Sequence, residues 1–177
     1  MAAQDRARLM MGARFLAALV PLFCGLLGVL FSNLPVTLFG GLVPPPLLGF
    51  IPVYFWCLVR PDLMTPAAAF AIGILQDVMS GGAPGIWTLS FVVAYAVIQR
   101  QRDAFAGLSG VAAVLGFATA MLIVCAIAWL ATAALYHPAP LGPIVAELAI
   151  TVLFYIPGAF VVGAIHRRLV GPLRSDF

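Results

Sequence analysis

Long apolar stretches separated by short polar breaks dominate the pattern along the chain. Uncharged blocks cover residues 15–59, 63–76, 78–99, 104–146 and 148–165. A helix needs about 20 residues to cross a hydrocarbon core of roughly 30 Å, so the first and fourth blocks hold two passes or nearly so. Turn signals rich in Pro and Gly divide them. The pattern predicts six helices, over residues of about 13–32, 42–59, 66–80, 86–100, 107–134 and 143–165.

The third and fourth predicted helices form a short hairpin. Thr65 offers an N-cap with Pro66 at the first helical position, and residues 80–85 are the strongest helix breaker in the chain. Each helix is only roughly 22 Å long, so the hairpin either spans the membrane or is re-entrant. Non-helical backbone at membrane depth must be buried or face water, so we expect neighbours to pack the 80–85 turn.

Composition places the whole chain in the membrane class. Of its 177 residues, 64% are hydrophobic and only 8% are charged, and the mean hydropathy is +1.13. A soluble domain needs more polar surface, and disordered chains are poor in apolar residues. The sequence therefore predicts an all-α integral membrane protein, with residues 1–177 forming a single membrane domain.

The basic residues predict the orientation. All nine are arginines, and each lies in or beside residues 1–12, 60–65, 100–106 or 166–177. The loops predicted on the other side, near 33–41, 81–85 and 136–142, hold none, so the positive-inside rule places both termini of this multi-pass protein on the cytoplasmic side. The arginine clusters thus signal topology, and we expect no nucleic-acid binding. Trp56, Trp87 and Trp129 fall near predicted helix ends, as interfacial aromatic residues do.

Two acids lie outside the cytoplasmic segments. Glu147 falls in the first turn predicted for the sixth helix, where the helix dipole favours a carboxylate. Asp77 falls near the C-terminal end of the third helix, where the dipole disfavours one. Gly73 shares its face and Gln76 lies beside it. Because intramembrane acids are usually functional, we expect Asp77 to serve function or essential packing.

No catalytic motif is present. Ser80 and Ser90 have no His or Lys at motif spacing, and GxSxG, HExxH and P-loop patterns are absent from the sequence. The three cysteines lie in apolar runs without metal or redox spacing, and His137 and His166 are expected at the surface. We therefore predict no enzyme, no metal and no cofactor.

One segment resembles a known family. The run from Trp56 to Arg60-Pro61, followed by residues 69–85 (AFAIGILQDVMSGGAPG), resembles the rod shape-determining protein MreD family. That family has a Trp-x3-Arg-Pro-like end to an early helix, then a Gly-x3-Asp-x3-Gly core that closes on a Pro-Gly or Pro-Leu-Gly turn. The likeness covers about residues 52–100. This chain has Ala83-Pro84-Gly85 where many relatives carry Pro-Leu-Gly.

The resemblance implies a non-enzymatic scaffold of the cell-elongation machinery. Such proteins are associated with an MreC-like membrane protein, with RodA and its penicillin-binding transpeptidase, and with MreB filaments that organise peptidoglycan synthesis. Their fold is similar to the six-helix substrate-binding S components of energy-coupling-factor transporters. The candidate partner-binding or structural residues are Arg60, Pro61, Gly73, Gln76, Asp77, Gly81, Pro84 and Gly85, with Glu147 as a secondary candidate.

An alternative hypothesis is a transporter subunit that binds a small molecule. Its motivation is the short, Gly-interrupted hairpin with a polar residue at its end. A binding pocket needs several converging polar groups. The sequence offers few of them, namely Asp77, Gln76, Glu147, Thr119 and Thr132, and this scarcity favours the scaffold.

Overall fold

A computed structural model describes residues 19–34, 44–105, 107–136 and 140–170. Within these ranges all regular structure is helical, and no strand occurs. The helices are α1 (Leu19–Ser32), α2 (Phe50–Val59), α3 (Pro66–Ser80), α4 (Ile86–Arg100), α5 (Arg102–Phe105), α6 (Val111–Leu135) and α7 (Leu141–Ile165). A π-helical turn, His166–Val170, continues α7.

The predicted hairpin helices are confirmed at both ends, whereas other boundaries differ. The predicted start of the first helix, residues 13–18, lies outside the described residues. The prediction of α2 from residue 42 is wrong, because residues 44–49 form a non-helical lead-in and the helix begins at Phe50. The prediction of α6 from residue 107 is also wrong. Gly107 and Gly110 adopt φ of 95° and 57°, which interrupts the helix until Val111. Conversely, α7 begins two residues earlier than predicted, at Leu141.

The short helix α2 lies at the centre of the fold. Seven of its ten residues are buried, and it contacts α4, α5 and α7. Its rings pack with those of neighbouring helices. Phe50 lies 5.3 Å from Phe91 of α4, and Tyr54 lies 5.3 Å from Phe117 of α6, measured between ring centroids. Aromatic pairs at these separations stabilise beyond the area that they bury. A helix that is apolar on every side is a buried one.

Trp56 belongs to this core and not to an interface. Its side chain is fully buried, so the expectation that it anchors the membrane interface is wrong. It lies near the end of α2, as predicted, but α2 is enclosed by other helices there. Trp87 and Trp129 are half-buried.

Two hydroxyl groups hold the non-helical lead-in to α2. The Leu47 N–H donates to Thr151 Oγ1 of α7, and the Leu48 N–H donates to Ser32 Oγ of α1, each at 3.0 Å. Pro46, Leu47 and Gly49 are buried in this stretch. The Leu48 N–H also donates to the Pro46 carbonyl oxygen at 2.9 Å, so Ser32 adds a second acceptor there. The Thr151 hydroxyl satisfies the Leu47 N–H, a buried backbone donor that lies outside any helix.

The five described arginines gather at one end of the helical bundle. Arg102 Nε donates to the Leu58 carbonyl oxygen at the end of α2. Val170, beside Arg167 and Arg168, packs with Leu63 of the loop that follows Arg60. This end of the bundle therefore holds the C-terminal ends of α2 and α7 and the start of α5. Arg100 belongs to it as well, because it is the last residue of α4 and lies two residues before α5.

Two described helices are long and apolar enough to cross a membrane, Val111–Leu135 and Leu141–Val170. The other apolar helices are shorter, at 10–17 residues. The described part of the chain is thus all-helical and holds two candidate spans, which gives weak support for membrane association.

Candidate functional site

The α3–α4 turn depends on two glycines with left-handed backbone. Gly81 has φ of 63° at the end of α3, and Gly85 has φ of 92° directly before α4. Side chains with a Cβ rarely adopt these values. Gly81, Pro84 and Gly85 are exposed. The expectation that neighbours pack this turn is therefore wrong, because its own glycines and the side chain of Asp77 shape it.

Asp77 caps the N-terminus of α4. Its Oδ1 accepts from the Trp87 N–H at 2.9 Å, and its Oδ2 accepts from the Thr88 N–H at 3.0 Å and from the Thr88 hydroxyl. The side chain is only 6% exposed. The interpretation of Asp77 as a charge at the unfavourable end of a dipole is incomplete, because the same carboxylate sits at the positive end of α4. Charge-assisted bonds of this kind are about twice as strong as neutral ones.

Gly73 permits the two helices to approach at this cap. A Cβ at Gly73 would lie 2.6 Å from Thr88 Cα and 3.2 Å from the Thr88 nitrogen. Any larger side chain would force the start of α4 away from α3, and with it the donors that Asp77 binds. Gly73 and Asp77 therefore act together. Gly73 lets α3 and α4 approach closely, and the Asp77 carboxylate accepts the hydrogen bonds that cap α4.

Gln76 lies beside this pair but does not take part in the cap. Its side chain is 3% exposed, and its Oε1 has no hydrogen-bond partner among the described residues. A buried amide oxygen without a hydrogen-bond donor carries a desolvation cost. The described contacts leave Gln76 Oε1 in that state.

Arg60 and Pro61 lie at the opposite end of α3 from Asp77. Arg60 Nε and Nη2 donate to the two carboxylate oxygens of Asp62 at 2.9 and 2.8 Å. This hydrogen-bonded pairing raises the pKa of the Arg60 guanidinium above its ordinary value. Because α3 has 15 residues, the Arg60 loop and Asp77 are separated by roughly 20 Å along the helix. The predicted site residues therefore form two groups, one at each end of the hairpin.

Glu147 does not lie where the sequence placed it. Because α7 begins at Leu141, Glu147 is its seventh residue, and the first turn of α7 contains no acid. The explanation of Glu147 by the helix dipole is therefore wrong, since that effect fades beyond the first turn. The residue is half-buried, and its carbonyl oxygen accepts from the Thr151 hydroxyl that also supports the lead-in to α2.

An apolar groove runs along the outer side of the hairpin. Its volume is about 460 Å³. Phe70, Ile74 and Val78 line it from α3, and Leu89 and Val92 line it from α4. Asp77 and Thr88 also border it, but their polar atoms are paired with each other. We call this feature the hairpin groove.

Sequence reasoning missed three residues that make important contacts, namely Thr88, Ser32 and Thr151. Each is buried, and its hydroxyl forms a hydrogen bond with a residue that is distant in the sequence or lies across the α3–α4 turn. Hydroxyl side chains at such positions are common in membrane helices, and spacing alone did not distinguish them. For Thr88, its place in the first turn after a break was a usable signal, because that is where orphan N–H groups need a cap.

Within the described ranges, no three His, Cys, Asp or Glu side chains gather into a group that could hold a metal ion. Comparisons of the chain with protein-family models, with curated proteins and with solved structures gave no match. The resemblance to the rod-shape family stays a prediction from the sequence of residues 52–100.

Proposed function

We propose that this chain is a non-enzymatic membrane scaffold of the cell-elongation machinery. In this proposal it crosses the inner membrane six times with both termini in the cytoplasm, and it binds a helix of an MreC-like partner. The observation that carries the proposal is the hairpin itself, because the family-like motif builds a rigid surface and leaves an open apolar groove.

The motif residues act inside the chain. Gly73, Asp77, Gly81 and Gly85 recur at every fourth position, and together they provide the close approach, the cap and the turn. A cap with three hydrogen bonds fixes the angle between α3 and α4. The role that we assign to Asp77 is thus to shape the binding surface, and direct contact with the partner is assigned to the hairpin groove.

The exposed side chains of the hairpin match a helical partner in lipid. Phe70, Ile74 and Val78 recur every four residues and form a ridge on α3, and Leu89 and Val92, three residues apart, form a second on α4. A groove between two ridges is the shape that the side chains of a third helix fill. In lipid such association depends on packing, because burial of apolar surface from water contributes nothing there.

The gathered arginines support the orientation. All five described arginines lie at one end of the bundle, and the hairpin turn lies at the other end of α3 and α4. That separation is what the positive-inside rule requires of a chain whose hairpin turn faces the periplasm.

Co-purification tests the binding surface. We expect Leu89→Trp, which fills the hairpin groove, to abolish co-purification of an MreC-like protein in mild detergent. Leu122→Trp is the matched control, because Leu122 is a similarly exposed leucine on α6 (57% against 49%). Equal recovery of the partner with both variants would contradict the proposal. A partner lost with both would indicate a general effect of tryptophan and would also count against the groove.

One observation favours the transporter alternative, namely the buried and unpartnered Oε1 of Gln76. The two threonine candidates are engaged within their own helices. The Thr119 hydroxyl donates to the Leu115 carbonyl, and the Thr132 hydroxyl donates to that of Ala128. Mass spectrometry of the purified chain that detected a tightly bound metabolite, lost in Gln76→Leu, would reverse the ranking of the two functions.

A further inference from the structure

A second groove lies on the other side of the molecule, between α1 and α7 with α2 as its floor. Its volume is about 370 Å³. Leu27 and Phe31 form the α1 rim, Phe154 and Val161 form the α7 rim, and Ile51 lies between them. Every residue that lines it is apolar. We call it the α1–α7 groove.

Small and ring-closed residues make this groove concave. Gly28 and Gly158 line it, and the absence of a Cβ lets α1 approach the lead-in at Leu48 and lets α7 approach α2. A Cβ at Gly158 would lie 2.8 Å from Ile51 Cδ1, so α7 rests directly on α2 at this position. Pro157 has no N–H, which leaves the Leu153 carbonyl without its helical partner.

The groove ends beside the basic end of the bundle. Its α7 wall runs from Phe154 to Ile165, a length of roughly 17 Å. The π-helical turn His166–Val170 follows immediately, with Arg168 exposed. Burial of Val170 against Leu63 fixes that turn. Arg168 lies three residues beyond Ile165, the last residue of α7 that lines the groove, and within the described ranges it makes no ion pair.

We infer that the α1–α7 groove binds an anionic phospholipid, with an acyl chain along α7 and the headgroup phosphate at Arg168. The inference rests on the membrane orientation proposed above. Charge complementarity selects this occupant, because an apolar channel that ends within three residues of an exposed arginine matches a lipid with one apolar and one anionic end. The cytoplasmic leaflet supplies such lipids, and basic sites between helices on that side bind their headgroups. A partner helix would satisfy the apolar walls but would leave the cation without a counter-charge.

Native mass spectrometry of the full-length chain tests the site, with phosphatidylglycerol and phosphatidylcholine as probes. We expect one retained phosphatidylglycerol and weaker retention of phosphatidylcholine. Arg168→Gln is expected to lower the preference for phosphatidylglycerol roughly five-fold, as the loss of one basic group near an anionic surface does. Arg100→Gln removes an exposed arginine from the same end outside the groove, and its preference should stay unchanged.

A second pair of variants tests the groove walls. Val161→Trp should reduce retention of both lipids, because Val161 lines the groove. Val145→Trp should not, because Val145 is a similarly exposed valine of α7 that lies outside it (60% against 55%). Equal retention by the two tryptophan variants, or equal retention of the two lipids by the unaltered chain, would overturn the inference. So would a dimer of this chain that Val161→Trp disrupts, since a second copy would then occupy the groove.

These results are separable from the proposed function. If the lipid site fails while Leu89→Trp still abolishes co-purification, only the α1–α7 groove assignment is lost. If co-purification is insensitive to the hairpin groove while phosphatidylglycerol is retained selectively, only the partner surface is lost.

Discussion

Asp77 and Thr88 meet across the α3–α4 turn, where one carboxylate oxygen of Asp77 accepts both the backbone N–H and the hydroxyl of Thr88. The second oxygen takes the Trp87 N–H. One side chain at the end of α3 thereby determines where α4 begins and how closely it lies.

Removal of the carboxylate should weaken the hairpin. We expect Asp77→Ala to lower the free energy of unfolding by about 2 kcal/mol, because it leaves buried N–H groups of α4 without their acceptor. Thermal unfolding in detergent measures the loss of stability, with the alkylation of the buried Cys57 and Cys125 at each temperature as the readout of unfolding. Asp62→Ala is the control, since it removes an exposed ion pair of small value. A melting temperature of Asp77→Ala equal to that of Asp62→Ala would refute the cap.

A methyl group at Gly73 should be costly, whereas one at Gly82 should not. Gly73→Ala places a Cβ 2.6 Å from Thr88 Cα, and overpacking against backbone typically costs about 1–3 kcal/mol. At Gly82 the nearest atom to a Cβ is Ser80 Oγ at 3.7 Å, and the φ of Gly82 is not left-handed. Gly82→Ala is therefore expected to leave the melting temperature unchanged or to raise it slightly. Similar losses in both variants would show that the close approach at Gly73 has no special role.

Thr151 should protect the backbone of the lead-in to α2. Thr151→Val removes the acceptor of the Leu47 N–H, and an unpaired buried donor costs about 1–3 kcal/mol. Hydrogen exchange of a peptide that contains residues 44–49 is expected to accelerate. Thr119→Val is a matched control, because that hydroxyl bonds only within its own helix. Unchanged exchange in Thr151→Val would show that the bond to Leu47 contributes nothing to protection.

Cysteine labelling should locate the hairpin turn. In a variant without Cys24, Cys57 and Cys125, we expect Ala83→Cys in intact cells to react with a membrane-impermeant maleimide from the periplasmic side. Ala104→Cys, in the exposed part of α5 at the arginine end, should react only after the membrane is opened. Protection of Ala83→Cys from outside would contradict a spanning hairpin and would favour a re-entrant one.

The bounds of the hairpin helices were predictable from the sequence because the signals that set them are local. Thr65 caps α3 through the Ala68 N–H, Pro66 begins the helix, and the glycines after Ser80 end it. Each signal acts within about four residues, so no tertiary information was needed. Asp77 was also singled out by a local signal, namely an acid in an apolar segment. Its hydrogen bonds to Trp87 and Thr88 were not predicted.

Boundaries that depend on distant partners were not predictable in this way. The start of α2 is decided by hydroxyls of Ser32 and Thr151, which lie 16 and 104 residues from the backbone groups they bind. Trp56 was misplaced for the same reason, because hydropathy gives no information about which helix lies at the centre. Glu147 lies beyond the first turn because α7 begins at Leu141. An error of two residues in the predicted start of the helix was enough to place Glu147 wrongly.

The Asp77 cap and the lead-in to α2 differ in when a growing chain can complete them. The carboxylate of Asp77 finds its donors 10 and 11 residues later, so the hairpin can supply its hydrogen bonds almost as soon as it is synthesised. The Leu47 N–H must wait for Thr151, 104 residues downstream. The hairpin thus completes its own cap, whereas the lead-in to α2 lacks one of its partners until the last helix arrives. If the proposed membrane topology holds, premature termination before α7 should leave a completed hairpin beside an unfinished core, a substrate for membrane quality-control proteases.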